Sequence, residues 1–386
     1  MSRIPRGVWV LGFVSLLMDV SSEMIHSLLP VFMVAVLGAS AVTVGLVEGV
    51  AEATALVVKV FSGTLSDALG KRKLLAVFGY GLGAASKPLF ALAGSAGMVL
   101  AARFIDRIGK GVRGAPRDAL VADLTPREVR GAAFGLRQSL DTVGAFAGPL
   151  AAIALMLAFA DDFRAVFWIA VIPGVLATAL LVFGVREPAA APGAARPPLR
   201  WASLRLFGAA YWWVVAIGTA FTLARFSEAF LVLRAQAAGL PIAWAPLVLV
   251  AMNVVYAAAA YPFGKLADTM SHHRIIAMGL VVLVVADAAL AWGDSLAWIF
   301  AGIVLWGLHM GMTQGILAAM VADAAPAELR GSAFGFFNLA SGGAMLVASV
   351  LAGVLWDRFG APSTFVAGAA FCVLALAVLK LSPRLT

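Results

Sequence analysis

The residues with the clearest chemical potential lie between Arg103 and Asp118, in the stretch RFIDRIGKGVRGAPRD. Arg103, Asp106, Arg107, Lys110 and Arg113 recur at steps of three and four, so they fall on one face of a helix. The stretch is bracketed by the apolar runs GMVLAA and ALVA. At mid-depth in a bilayer each such charge costs about 2.5–3.5 kcal/mol. A charged stripe there is expected to face partner side chains or a water-filled pathway, and guanidinium groups fork well onto carboxylate or phosphate.

Other apolar stretches carry further charges. Asp19, Ser22, Glu23 and His26 stand at i, i+3, i+4 and i+7, one helical face. Glu48, Glu52 and Lys59 share another. Arg137 and Asp141 form an i, i+4 pair, either an internal ion pair or a substrate contact. Arg225 and Glu228 sit near the middle of a later span. Two carboxyls one turn apart in a low-dielectric setting do not both ionise cheaply. Asp19 and Glu23 are therefore candidates for binding and releasing a proton, and Arg103, Arg107 and Arg225 for holding an anion. Lys87 and Asp287 are expected to snorkel towards an interface.

The elements that must position these groups are membrane helices. The chain has 386 residues, 62% hydrophobic and 12% charged, with a formal charge of +8. A soluble domain carries roughly 25% charged residues. Twelve stretches reach the roughly 20 apolar residues a span needs: 8–36, 42–68, 73–94, 96–121, 129–158, 163–185, 206–237, 242–270, 274–293, 296–322, 328–356 and 362–381. The first, behind Arg3 and Arg6, is too long for a signal peptide and reads as an uncleaved span. Alternate connections carry the bases: Lys71-Arg72-Lys73, Arg127 and Arg130, Arg186 to Arg200, His272-His273-Arg274, and Arg330. The positive-inside rule then puts these loops and both termini in the cytoplasm, in a cytoplasmic (inner) membrane.

The stretch EPAAAPGAARPPLR (187–200) divides the spans six and six, giving an N-terminal bundle over 1–186, a linker over 187–203 and a C-terminal bundle over 204–386. The halves repeat. VADLTPREVRGAAFG (121–135) returns as VADAAPAELRGSAFG (321–335), and GTLSDALGKRK (63–73) is echoed by GKLAD (264–268). Equivalent loops imply duplicated bundles related by an axis along the membrane normal. The expected fold is all-α, with twelve transmembrane helices in two pseudo-symmetric six-helix bundles.

These features resemble the major facilitator superfamily of secondary transporters along the whole chain. GTLSDALGKRK matches that family's signature loop between its second and third helices. The resemblance implies a cytoplasmic latch built on Gly63, Asp67, Gly70, Lys71 and Arg72, with either Asp118 or Asp123 as the acid that pairs with Lys71 or Arg72. RIGKG (107–111) is similar to the family's fourth-helix motif, with Lys110 for the usual Gln. GAFAGP (144–149) is similar to the fifth-helix motif associated with antiporters, carried by Gly144, Gly148 and Pro149, although Ala151 and Ala152 stand where glycines are common. The stretches MDVSSEMIHSLLP and RIGKGVRGAPRDAL resemble a prokaryotic subgroup to which no substrate attaches.

The expected activity is secondary transport of a small organic solute, anionic or zwitterionic, drug-like compounds included, by proton-coupled efflux and alternating access. Substrate and proton coupling would involve Asp19, Glu23, His26, Glu52, Arg103, Asp106, Arg107, Arg137, Asp141, Arg225 and Glu228. The alternatives are export of a metal ion or metal chelate, through oxygen and nitrogen donors on Asp19, Glu23, His26 and Glu52, and a non-transporting membrane sensor. No nucleotide-binding, metalloprotease or nucleophile-elbow motif is present, so an enzyme is not expected, nor a cofactor, a resident metal or a nucleic-acid partner. The single cysteine, Cys372, excludes disulfides and cysteine zinc sites. The expected partners are the solute, protons and the bilayer, around a monomer.

Overall fold

The computed structural model describes residues 4–69, 71–126, 129–186, 206–267, 269–326 and 329–382. Among them the helices, in chain order, are α1 (Arg6–His26), α2 (Ala41–Leu69), α3 (Arg72–Leu92), α4 (Ala96–Leu124), α5 (Arg130–Ala158), α6 (Phe163–Gly184), α7 (Ala209–Ala224), α8 (Ala229–Ala237), α9 (Leu247–Leu266), α10 (His272–Trp292), α11 (Leu296–Ala324), α12 (Arg330–Phe359) and α13 (Ala361–Leu381). α7 and α8 are the two parts of one span. Among the described residues eleven spans are apolar enough to cross a membrane. The twelfth, α4, is long enough but carries the charged stripe, and so falls outside that apolar set.

Two spans are interrupted. Beyond His26 the first continues through a short turn, Leu29–Val31, and a π-helical turn, Phe32–Val36. Pro30 lies in the turn, where it lacks an N–H to extend the α-helix. The seventh span breaks between Ala224 and Ala229, so Arg225 and Glu228 sit at a break rather than inside a continuous helix. That corrects the sequence reading. Pro149, by contrast, is accommodated within the unbroken α5.

The repeat holds at the level of helix ends. α3 and α10 begin at 72 and 272 and end at 92 and 292. α4 and α11 run from 96 to 124 and from 296 to 324. α5 and α12 begin at 130 and 330. The chain thus builds these helices twice, in a register of 200 residues.

Two compact units divide the chain, Met1–Phe32 with Thr54–Pro198, and Met33–Ala53 with Leu199–Thr386. The first part of α2 therefore packs with the second unit, although the sequence division put all of it in the first. In the first unit α1, α3, α4, α5 and α6 enclose a core that includes Leu11, Met18, Tyr80, Leu120 and Leu181. α3 and α4 approach closely because Gly79 and Gly109 face each other. A Cβ on Gly109 would lie 2.7 Å from the Gly79 carbonyl oxygen, and one on Gly79 2.8 Å from that of Gly109. Arg164 of α6 fastens the end of α3, donating to the carbonyls of Ala91 and Ala93 at 2.7 and 2.8 Å.

In the second unit Phe226 packs on Phe230, Trp306 and Phe365. Arg234 fastens the end of α10, donating to the carbonyls of Leu290 and Gly293 at 2.7 Å each. The start of α2 is seated on α12: Asp357 accepts from the backbone N–H groups of Ala41 and Val42, both at 3.0 Å. A carboxylate there satisfies two helix-end donors and suits the positive end of the helix dipole.

Candidate functional site

The charged stripe of α4 turns into the first unit. Arg103, Asp106, Arg107 and Arg113 are all buried. Lys110, which shares their face by spacing, is exposed. Asp106 is the hub. Its Oδ1 accepts from Lys87 Nζ of α3 at 2.7 Å, and its Oδ2 lies 3.8 Å from Arg107 Nε. Lys87 Nζ also donates to Ser22 Oγ of α1 at 2.9 Å. Arg113 lays its guanidinium over the Tyr80 ring, 4.8 Å from the centroid. Its Nη1 has no hydrogen-bond partner among the described residues.

Lys87 is 1% exposed and Asp287 0%. Neither snorkels, contrary to the sequence expectation. The close glycine contact between α3 and α4 carries Lys87 into the interior, where Asp106 meets it.

The face of α1 has the predicted pattern. Asp19, Ser22, Glu23 and His26 are half-buried, while Met18, Ser21, Met24 and Ile25 on the other side are buried. His26 Nδ1 lies 3.3 Å from Glu23 Oε2. Lys110 and Arg107 are also within electrostatic reach of Glu23. The like charge that bears on Asp19 is not Glu23 but Asp141 of α5; Arg113, Lys110 and Arg117 act on it from the other side. The carboxyl competition expected between Asp19 and Glu23 is thus between Asp19 and Asp141.

α5 meets this face through its two motif glycines. A Cβ on Gly144 would lie 2.6 Å from the Leu16 carbonyl oxygen and 3.0 Å from Asp19 Cβ. One on Gly148 would lie 2.8 Å from Glu23 Cβ. The helix-5 motif is thus the notch that receives the carboxyl-bearing part of α1.

Arg137 and Asp141 form the expected ion pair, 2.7 Å. It belongs to a wider network. Arg117 Nε lies 3.1 Å from Asp118 Oδ1, and its Nη1 3.7 Å from Asp141 Oδ1. Arg117 Nη1 also donates to Ser15 Oγ at 3.2 Å, and Arg137 Nε lies 3.8 Å from Asp118 Oδ1. Sequence reasoning passed over Arg117, one more base in the charged run of α4, and placed Lys87 at an interface.

Of the two acids offered for the loop between α2 and α3, Asp123 takes the ion pair, with Arg72 Nη1. Arg72 also donates to the Ala119 carbonyl at 3.3 Å. Asp118 belongs to the Arg117 and Arg137 network instead, and Lys71 is exposed. Gly70 lies outside the described residues, as do the surroundings of Gly63 and Asp67 within α2.

In the second unit Glu52 and Glu228 lie within electrostatic reach of Arg225, as does Tyr256, whose hydroxyl is 3.2 Å from Gln314 Oε1. Glu48 is buried on α2, one turn before Glu52. Asp19, Glu23 and His26 belong to one unit and Glu52 to the other. Among the described residues no three His, Cys, Asp or Glu side chains are grouped to hold a metal ion.

The family model of the Major Facilitator Superfamily matches residues 11–348 and 237–385. An MFS-type transporter of Methanocaldococcus jannaschii is 30% identical, over 96% of this chain and 94% of its own. Among solved structures, the nucleoside transporter NupG superposes with a TM-score of 0.81 at 12% identity, covering 97% of this chain and 98% of that one. A peptide transporter, POT, bound to sulfate gives 0.81 at 16% identity, covering 98% and 95%. At such identities the structures speak for the fold alone. The match to the family model across the chain, together with a relative aligned over nearly its full length, makes this chain a member of the Major Facilitator Superfamily, a multi-pass secondary transporter and not an enzyme.

Proposed function

We propose that the protein exports a small organic anion or zwitterion across the cytoplasmic membrane in exchange for protons, by alternating access. The observation that carries the reading is the charge inventory inside the first unit. Lys87, Arg103, Arg107, Lys110 and Arg113 gather on α3 and α4. Carboxyls that bear on Lys87, Arg107, Lys110 and Arg113 include Asp106, Asp19 and Glu23. Arg113 keeps a buried N–H without a hydrogen bond among the described residues. An anionic group supplies the missing acceptor, and a guanidinium is the side chain best shaped to hold it.

Proton coupling rests on Asp19 and Glu23. Asp19 has Asp141 as a like-charged neighbour, and Glu23 has His26. Protonating Asp19 relieves repulsion, and losing that proton strengthens its attraction to the bases of α4. A carboxyl whose charge competes with a substrate anion for the same guanidinium groups can exchange a proton for that substrate. The glycines of α5 that seat this part of α1 support antiport. The Arg72–Asp123 ion pair supports a latch at the loop between α2 and α3, on the side that the basic loops assign to the cytoplasm along with both termini. The working unit is a monomer.

The test begins with a stabilisation screen of the purified protein against organic anions, cationic drugs, nucleosides and divalent metals, since ligand binding to the folded state raises its stability. A stabilising anion whose effect is lost in Arg103→Ala or Arg107→Ala is the expected result. Its pH-driven flux is then measured in proteoliposomes. The proposal fails if Asp19→Asn and Glu23→Gln both leave that flux intact.

A further inference from the structure

The 200-residue register places Asp287 of α10 where Lys87 stands in α3, and Trp306 of α11 where Asp106 stands in α4. In the first unit this pair of positions holds an ion pair at 2.7 Å. In the second it holds a carboxyl and an indole. Asp287 is 0% exposed, and neither of its oxygens has a hydrogen-bond partner among the described residues. The Trp306 Nε1 donor is likewise unmatched there.

The surroundings of Asp287 are apolar and fitted to its shape. Gly368 of α13 faces it so closely that a Cβ would lie 2.7 Å from Oδ2 and 3.1 Å from Phe226 Cε1. Titratable groups on the packed elements include Cys372, one turn beyond Gly368 on α13 and within electrostatic reach of Asp287, His309 on α11 and Arg225 beside Phe226. His309 Nδ1 is engaged with the Gly279 carbonyl at 2.8 Å. On α10 itself His272, His273 and Arg274 stand at the far end of the helix. None of these makes a hydrogen bond or ion pair with Asp287 among the described residues.

We propose that Asp287 is a second proton-carrying carboxyl of this transporter, built into the α10–α13 contact, which holds its proton in the conformation described here and releases it to water when that contact loosens. An ionised carboxylate without a cation or donor is costly in such surroundings, so the neutral acid occupies the site. As glue between helices a carboxyl that bonds to nothing contributes little, and an apolar side chain would fill the space without the cost. The step is one O–H bond broken on Asp287 and the proton passed to water, with no redox change. It extends the proton-coupled reading above and rests on that reading only for its consequence in transport.

The experiment is infrared titration of the purified protein in lipid, comparing the unmodified chain with Asp287→Asn. The expected result is a neutral carboxylic-acid carbonyl band that Asp287→Asn removes and that fades as pH rises. A difference spectrum without that band, or a band indifferent to pH, overturns the proposal. Should Asp287→Asn fold poorly, dicyclohexylcarbodiimide labelling of the unmodified chain decides. An adduct at Asp287 that declines with rising pH supports the site, and no adduct, or one constant with pH, overturns it. If Asp287 titrates but flux ignores a pH gradient, the transport reading fails and the proton site stands. If flux is proton-driven and Asp287 does not titrate, the proton site alone fails.

Discussion

The Lys87–Asp106 pair permits a prediction with a direction as well as a size. Both side chains are at least 95% buried and 2.7 Å apart. The two ends are not equivalent. Asp106 has other cations in reach, Arg107 at 3.8 Å and Arg113. Lys87 donates, besides Asp106, only to the neutral Ser22 hydroxyl among the described residues. Replacing Asp106 by Asn strands Lys87 and removes the carboxylate beside Arg107. Breaking a buried pair so that a charge is left behind costs about 3–5 kcal/mol. Replacing Lys87 by Met leaves Asp106 with its arginines and removes one charged hydrogen bond, about 1.5–3 kcal/mol. Asp106→Asn should therefore be the worse lesion by roughly tenfold or more in the unfolding equilibrium, about 1.4 kcal/mol per decade. Equilibrium unfolding in mixed micelles of both single variants and the double variant measures this. The double variant should cost less than the sum, with a coupling of about 1–3 kcal/mol, as contacting residues show. Lys87→Met equal to or worse than Asp106→Asn, or strict additivity, would refute the assignment of Asp106 as the shared hub.

Two further expectations follow from contacts made by α5 and α12. Gly148→Ala places a methyl carbon 2.8 Å from Glu23 Cβ and 2.9 Å from the Val20 carbonyl, so it should destabilise by about 1–3 kcal/mol, read as a lowered melting temperature; an unchanged value would mean α5 does not seat α1 this closely. Asp357→Ala removes the acceptor for the Ala41 and Val42 N–H groups and should cost about 1 kcal/mol, with faster hydrogen exchange at those two amides and not along the rest of α2.

The parts of the molecule written in the sequence are those with a local or periodic cause. Apolar length locates the spans within a few residues. Even α4, too charged to pass as a plain hydrophobic helix, is visible because its charges keep helical spacing. The α1 face is legible for the same reason, and the i, i+4 spacing of Arg137 and Asp141 offers their pairing as one of two readings. What stayed hidden depends on which helices touch. Lys87 sits next to Pro88 near the end of its span and reads as interfacial, until the Gly79–Gly109 contact brings α4 against it. Arg117 reads as one more base, until Ser15, Asp118 and Asp141 converge on it from α1, α4 and α5. Spacing along α4 does not choose between Asp118 and Asp123 as the partner of Arg72; the approach of α3 does. The break at Arg225 contains neither glycine nor proline, so no local signal marks it.

The second half of the chain serves as an internal control on the first. α10 and α11 pack at the register of α3 and α4, and the counterparts of Gly79 and Gly109 are again in contact. Gly79 meets Gly109 in one unit; the Gly279 carbonyl meets the His309 ring at 2.8 Å in the other. Yet at the positions of Arg103, Asp106 and Arg107 the second copy has Ile303, Trp306 and Gly307. The helix pair thus forms without any of those charges. Their presence in α4 is not a requirement of this packing, and buried charge that packing does not require is expensive to keep in a membrane. That cost weighs towards transport for the α4 stripe. The same comparison isolates Asp287, a charge-bearing side chain that appears in the second copy with no partner to explain it as structure.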